Sequence, residues 1–215
     1  MRARNLTFLA VLLIVASGAS PSEGVIFPLE IFSTNGQYYN DPGVDLYVDV
    51  TNGAGSAKFT FYNDSTINCS IARIYFDDGT LLGITSVTNG PGQVTFYEAP
   101  DFPGPGDLPN GDLLDPDFVA DREFSIGADS PPPEDGVNNS VGEWVQITFQ
   151  LKDVEPGVPG TLDDVLAELG DGRLRVGLHV VAFDDGSSNT AVNPEPATIC
   201  LLGLGGLLLR RRRSA

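Results

Sequence analysis

The fold of this chain is decided by one alternating stretch, Trp144-Val145-Gln146-Ile147-Thr148-Phe149-Gln150-Leu151. In an extended chain, successive side chains point to opposite faces. The apolar residues at 145, 147, 149 and 151 therefore share one face, and the polar residues at 146, 148 and 150 share the other. The stretch predicts a β-strand with one face in a core and one face in contact with water.

Further stretches of the same kind recur through the middle of the chain. Each is rich in Val, Ile, Phe, Tyr or Thr and is bounded by Gly, Pro, Asn or Asp, which favour turns. They cover residues 25–32, 45–50, 58–62, 67–76, 80–85, 93–97 and 173–183. This pattern predicts an all-β fold, a β-sandwich or jelly-roll-like domain over residues 20–185.

One short helix interrupts the strand pattern. Thr161 is a good N-cap, and Asp164 follows three residues later, as in a capping box. Apolar residues then recur at helical spacing until Gly170 ends the pattern; they are Leu162, Val165, Leu166 and Leu169. We expect this helix to cover the sandwich as a lid.

Proline-rich and polar segments predict the connections. Residues 100–116 and 130–139 contain proline clusters, and proline cannot donate to a strand ladder. We expect both segments to be long surface loops. Residues 186–192 are small and polar, and they predict a polar linker after the last strand.

The middle of the chain is strongly acidic. All 29 acidic side chains lie between Glu23 and Glu195, where only six basic side chains accompany them, which gives a formal charge of −23. Such a charge repels nucleic acid phosphates and anionic lipid, so we expect no nucleic acid partner. The partners left open are exopolysaccharide, Ca²⁺ and other surface proteins.

Two acidic turns are candidates for calcium binding. Phe76-Asp77-Asp78-Gly79 recurs as Phe183-Asp184-Asp185-Gly186, each time at the end of a predicted strand. Asp-Gly favours a hairpin turn, so a plain turn is the first interpretation. Paired carboxylates are also ligands that Ca²⁺ prefers. A further acidic patch comprises Asp112, Asp115, Asp117 and Asp121. The spacing of an EF-hand loop is absent, so calcium stays the alternative to a turn.

The chain offers few candidates for catalysis. His179 is the only histidine, and Cys69 lies in an alternating stretch that favours a buried, apolar role. Gly-x-Ser-x-Gly, His-Glu-x-x-His and a phosphate-binding glycine loop are all absent from the sequence. We therefore expect no enzyme activity, no catalytic residue, no metal site and no cofactor. The alternative is a secreted carboxylate-dependent hydrolase such as a glycosidase, which needs two carboxyl groups in one cleft.

The N-terminal residues have the order of a secretory signal. Arg2 and Arg4 give a positive start, residues 6–16 are apolar, and Ser17-Gly18-Ala19 supplies small residues where signal peptidase cuts. We expect residues 1–19 to be a signal peptide that is removed after Ala19. The mature protein would then be exported.

The C-terminal residues have the order of a membrane signal. Asn193-Pro194-Glu195-Pro196 precedes an apolar run at residues 197–209, and Arg210 to Arg213 follow. As a helix, residues 197–209 rise about 20 Å, which is short against a hydrocarbon thickness of about 30 Å. We expect a transient transmembrane helix with the arginines on the cytoplasmic side.

This order of Pro-Glu-Pro, short apolar helix and arginine cluster resembles the PEP-CTERM sorting signal of bacterial exosortase substrates. The resemblance covers residues 193–215, about the last tenth of the chain, and Asn193 stands where the family usually has Val. It implies a sorting signal made of Pro194, Glu195, Pro196, Arg210, Arg211, Arg212 and Arg213. The preceding residues loosely resemble the β-rich domains found ahead of such signals.

The resemblance also implies a place for the protein. An exosortase, an integral membrane cysteine protease, would recognise Pro194-Glu195-Pro196 while the membrane holds the chain. The protein would then be released or transferred to the cell surface or an exopolysaccharide matrix. On this interpretation the chain is a substrate, exosortase and signal peptidase are its processing enzymes, and the acidic β domain is a non-catalytic cargo.

Overall fold

The structure is a computed structural model that describes residues 24–32, 38–39, 41–77, 82–98, 108–121, 124–129, 131–139 and 142–194. The predicted signal peptide at 1–19, the membrane helix at 197–209 and the sorting residues 195–196 and 210–213 lie outside these ranges. Within them, the helices are too short or too polar to cross a membrane.

The described part of the chain consists mainly of β-strands. They are β1 Val25–Pro28, β2 Glu30–Ile31, β3 Leu46–Gly53, β4 Ser56–Asn63, β5 Ser70–Asp77, β6 Leu82–Asn89, β7 Phe96–Glu98, β8 Ile126–Ala128, β9 Val137–Asn138, β10 Trp144–Leu151, β11 Asp153–Glu155, β12 Val158–Pro159, β13 Arg175–Val181 and β14 Asn189–Val192. The described helices are α1 Pro132–Asp135, α2 Leu162–Asp171 and a 3-10 turn at Gly111–Leu113.

The strands form two antiparallel sheets. The first sheet has the order β1-β3-β4-β10-β6, and the second has the order β2-β14-β13-β5-β8-β7 with β9 paired to β5. A separate hairpin joins β11 to β12. The predicted all-β, sandwich-like fold is therefore confirmed.

The core lies between the two sheets. On β10, Val145, Ile147 and Phe149 are fully buried, as the alternation predicts. Phe149 belongs to the first sheet and Phe76 on β5 to the second, and their ring centroids lie 4.8 Å apart at 70°. Phe59 on β4 adds a second edge-to-face contact to Phe76 at 5.4 Å. Each such pair contributes about 0.5–1.5 kcal/mol beyond area burial, so these rings fix how the sheets stack.

The predicted helix is present as α2. The Asp164 N–H donates to Thr161 Oγ1 at 3.3 Å, and the Thr161 N–H donates to Asp164 Oδ2 at 2.8 Å, so the capping box is complete. The helix runs past Gly170 and ends at Asp171. Gly172 is its C-cap, and its φ of 77° suits glycine. Val165 and Leu169 are buried in the main core, so α2 covers the sandwich as predicted.

Both predicted surface loops contribute buried residues. Residues 131–139 contain α1 and β9, and Val137 on β9 is fully buried. Residues 108–116 continue into a segment on the second sheet, where Leu108 and Phe118 are buried together with Tyr75. Proline prevents ladder pairing but not side-chain packing, so the prediction of exposed loops is wrong here.

The predicted polar linker at residues 186–192 is wrong in its second half. Asn189–Val192 form β14, which is buried and pairs with both β13 and β2. Asn193 continues this attachment: its N–H donates to the Val176 carbonyl at 3.1 Å, and its Oδ1 accepts the Val176 N–H at 2.6 Å. The folded domain therefore extends to Asn193, directly before Pro194.

Candidate functional site

The outer face of the first sheet carries three aromatic side chains in one row. Tyr47 on β3 lies opposite Tyr62 on β4, and Tyr62 lies opposite Trp144 on β10. Each alternates with a buried neighbour, so all three project away from the core. We call the surface formed by this row and the next two rows the aromatic face. Those rows contain Asp49, Thr60, Gln146 and Thr88, then Thr51, Lys58, Thr148 and Ser86.

Local contacts hold the three rings in place. The rings of Tyr47 and Tyr62 stack, with centroids 5.1 Å apart and planes inclined by 19°. The Tyr47 hydroxyl donates to Asp64 Oδ2 at 2.9 Å. A Cβ at Gly90 would lie 2.8 Å from Trp144 Cδ2, so the indole packs directly on the Gly90 backbone. The rings are thus positioned without a ligand.

The polar groups of the aromatic face are arranged around these rings. Gln146 Nε2 donates to the hydroxyl of Thr60 at 2.9 Å, across the β10–β4 pair. Burial, then the hydrogen bond to Asp64 and its charge, raise the pKa of Tyr47 to about 12. Burial, then the charges of Asp49 and Asp64, also raise the pKa of Tyr62. Both phenols therefore stay protonated at neutral pH and can donate hydrogen bonds.

The sequence alone did not reveal the aromatic face. Alternation on β4 and β10 puts Tyr62 and Trp144 on the wet side of their own strands. They form one row with Tyr47 because of the register between β3, β4 and β10. Of these strands, β10 is distant in sequence from the other two. The useful signal is an aromatic residue at a polar position of an alternating strand.

A second polar cluster lies on the outer side of the second sheet. Arg175 on β13 forms an ion pair with Asp77 on β5 and donates through Nη1 to the Pro116 carbonyl at 2.6 Å and through Nη2 to the Asp117 carbonyl. The Val119 N–H donates to Asp77 Oδ2 at 3.1 Å. Asp77 is thereby committed to holding the segment at 116–119. Arg175 and Asp77 thus stabilise the fold by attaching this segment to the second sheet.

The predicted calcium candidates do not come together. Within the ranges the structure describes, no three His, Cys, Asp or Glu side chains are grouped so that they could hold a metal ion. Asp184 accepts a hydrogen bond from Asn68, and Asp185 accepts the Ser187 N–H in a turn at Gly186, whose φ is 77°. The second acidic repeat is therefore a turn, whereas Asp78 and Gly79 of the first repeat lie outside the described residues.

Neither His179 nor Cys69 is placed as a catalytic group. Burial, and then the charge of Arg73, lower the pKa of His179, so the imidazole is neutral at pH 7. Burial raises the pKa of Cys69, which is 3% exposed and contacts the Asn63 amide through sulfur. A neutral, enclosed thiol is a poor nucleophile. The prediction that Cys69 is a buried apolar residue is confirmed.

One small cleft contains two carboxylates. It has a volume of about 200 Å³ and is lined by Glu30, Ile31, Tyr38, Asp41 and Val44. Asp41 Oδ1 accepts the Gly43 N–H at 2.8 Å and so closes its own turn. Glu30 is exposed to solvent. The cleft provides two acidic groups, one of which also has a role in the backbone turn.

The first residue of the predicted sorting signal lies just after the end of β14 in the second sheet. Pro194 follows Asn193, whose backbone and side chain are both bound to Val176. Glu195, Pro196 and Arg210 to Arg213 lie outside the described residues. Comparison with known protein families, curated proteins and solved structures gives no match for this chain. Functional inference therefore rests on its own residues.

Proposed function

We propose that this chain is an exported bacterial surface or matrix protein and the substrate of an exosortase. Residues 1–19 direct export, and residues 197–209 hold the chain in the membrane until processing. Pro194, Glu195 and Pro196 are the recognition element. Arg210 to Arg213 stop translocation and set the orientation, because arginine is retained on the cytoplasmic side.

One observation supports this proposal most directly: the recognition element begins where the folded domain ends. Asn193 is fastened to Val176 by two hydrogen bonds, and the next residue is Pro194. Proline has no backbone N–H and cannot extend the ladder of β14. The ladder of β14 therefore does not continue through Pro194, and the two prolines of the Pro-Glu-Pro sequence disfavour helical conformations at the residues before them.

The cargo is proposed to act by binding rather than by catalysis. Its conspicuous polar groups support structure: Arg175 and Asp77 hold a loop, and Asp164 caps α2. The aromatic face is the surface that offers groups to a partner. A matrix or surface role fits an acidic, exported domain.

The test is intact-mass analysis of the protein in a bacterial host that contains the matching exosortase. The expected product lacks residues 1–19 and the C-terminal arginines. The double variant Pro194→Ala, Pro196→Ala should stay in the membrane fraction with its arginines. Pro91→Ala, at an exposed turn, is the matched control and should be processed normally. Normal release of the double variant would show that the tail is only an anchor.

A carboxylate-dependent hydrolase is the second candidate, favoured by the cleft that holds Glu30 and Asp41. A glycosidase needs one carboxyl group as an acid and another as a base or nucleophile. Reducing-sugar release from neutral and acidic polysaccharides would measure this activity. Hydrolysis that is lost in both Glu30→Gln and Asp41→Asn, but kept in Glu98→Gln, would establish the enzyme and refute the binding role.

A further inference from the structure

We propose that the aromatic face binds a neutral polysaccharide. The stacked pair of Tyr47 and Tyr62 and the indole of Trp144 would contact the apolar faces of sugar units, and the neighbouring polar rows would bind sugar hydroxyls. This inference names the partner of the proposed surface protein and rests on that proposal only for its biological setting. The binding chemistry follows from the face alone.

The arrangement of the rings suits an extended sugar chain. Strands in a sheet lie about 4.8 Å apart, so three adjacent strands place three rings over roughly 10 Å. Tyr47 and Tyr62 are held by stacking and by the bond to Asp64, and Trp144 is held against Gly90. Because these rings are already positioned, little side-chain entropy is lost when a ligand binds. An extended chain crossing the strands would meet first the stacked tyrosine pair and then the indole.

The polar rows carry groups that match sugar hydroxyls. Thr51, Thr88, Thr148 and Ser86 carry hydroxyls on this face, and Gln146 carries an amide. Hydroxyl and amide groups both donate and accept hydrogen bonds, as sugar hydroxyls do. Gln146 is already oriented by its hydrogen bond to the Thr60 hydroxyl. Thr60 itself is only 5% exposed to solvent. The amide is thus fixed where a sugar hydroxyl would meet it.

The charge of the aromatic face decides which polysaccharide fits. The three rows contain one carboxylate, Asp49, and one ammonium group, Lys58, on adjacent strands. The Asp64 carboxylate, bound to the Tyr47 hydroxyl, borders the first row, so the face has one cation against two carboxylates, a small charge within a region whose formal charge is −23. An acidic polymer would be repelled by the surrounding carboxylates, whereas a neutral polymer would not. The occupant that matches the face is a neutral sugar chain.

The experiment is affinity electrophoresis of the full-length chain in a polyoxyethylene detergent, which has no sugar head group. Native gels contain galactomannan, hydroxyethylcellulose or dextran as neutral polymers, and alginate as the acidic polymer. We expect at least one neutral polymer to retard the protein and alginate to leave its mobility unchanged. Failure of all three neutral polymers would overturn the proposal, as would equal retardation by alginate.

Variants then locate the binding. Trp144→Ala and Tyr62→Ala should each weaken binding about tenfold or more, whereas Tyr62→Phe should retain most of it because the ring remains. Tyr97→Ala is the matched control, since Tyr97 is 46% exposed on β7 of the second sheet. Equal loss in Tyr97→Ala would overturn the assignment of the face.

Two further controls keep the test decisive. Thermal unfolding shows whether each variant is folded; if Trp144→Ala is not, Trp144→Leu and Gln146→Ala carry the same test. Sedimentation identifies the competing occupant, because a dimer that Trp144→Ala abolishes, without retardation by neutral polymers, would assign the face to a second copy. The electrophoresis involves no exosortase, so the two proposals are tested separately: a chain that binds polymer but is left uncleaved in the exosortase host refutes only the sorting proposal. Processed protein that binds none refutes only this inference.

Discussion

Arg175 on β13 and Asp77 on β5 lie directly opposite each other, and their ion pair joins the second sheet to the segment that covers it. Their side chains are 8% and 20% exposed, so water screens this pair weakly. The guanidinium also lies 5.2 Å from the centre of the Phe118 ring. One side chain thus connects a strand, a carboxylate, two loop carbonyls and an aromatic ring.

Arg175→Met should therefore be strongly destabilising, because it leaves Asp77 enclosed without its cation. We expect the free energy of unfolding to fall by about 3 kcal/mol, the lower end for a broken buried pair. Lys58→Met is the matched control: Lys58 lies on the outer face of the first sheet and forms no ion pair with a described residue, so its loss should change stability little. Urea titration measures both, and equal losses would contradict the prediction.

Asn63→Ala should also destabilise the fold, because the Asn63 amide connects three segments inside it. Its Nδ2 donates to the carbonyls of Cys69 and Val137, and its Oδ1 accepts the Ser65 N–H. Truncation leaves these buried groups unpaired, which costs about 2 kcal/mol or more. Asn52→Ala, on the exposed part of β3, should have little effect in the same urea titration. A loss at Asn63 no larger than at Asn52 would contradict this account.

The strands and the helix were predictable because their signals are local. The alternation of β10 and the capping box at Thr161 depend on neighbouring residues alone. β14 was not predictable, since its polar residues find distant partners: Thr190 Oγ1 donates to the Pro109 carbonyl at 2.8 Å. The Arg175–Asp77 pair and the row of Tyr47, Tyr62 and Trp144 likewise follow from strand register, which a local pattern does not specify.

The raised pKa of Tyr47 makes a prediction about alkaline pH. The folded protein keeps this proton up to about pH 12, whereas the unfolded chain loses it near 10. Stability from this group is complete below pH 10 and falls as pH rises toward 12. Asp64→Asn should lower the pKa of Tyr47, and Asp163→Asn, on α2, should not. Carbon NMR of labelled tyrosine rings measures the pKa of Tyr47. A pKa near 10 for Tyr47 in the unaltered protein would refute the prediction.

The lowered pKa of His179 makes a prediction about acidic pH. The folded state resists protonation of His179, while the unfolded chain takes up the proton near pH 6.5. The contribution of this group to stability is present above pH 6.5 and is lost as pH falls below it. Arg73→Gln should raise the pKa of His179 by removing the nearby charge, and Lys58→Gln, on the first sheet, should not. Nitrogen NMR of the single imidazole measures the pKa of His179 directly. An unchanged pKa in Arg73→Gln would contradict a contribution from the Arg73 charge.

The position of β14 determines when the domain can finish folding. β2 has β14 as its partner in the second sheet, and β14 is separated from it by nearly the whole domain sequence. A chain that emerges from an export channel N-terminus first cannot pair Glu30–Ile31 until Asn189–Val192 have followed. Contacts of such sequence separation form slowly, because a long loop must close first. In the proposed export, the sheet would therefore be completed only after Val192 has left the channel, so the proposed sorting residue Pro194 would emerge at about the stage at which the domain can finish folding.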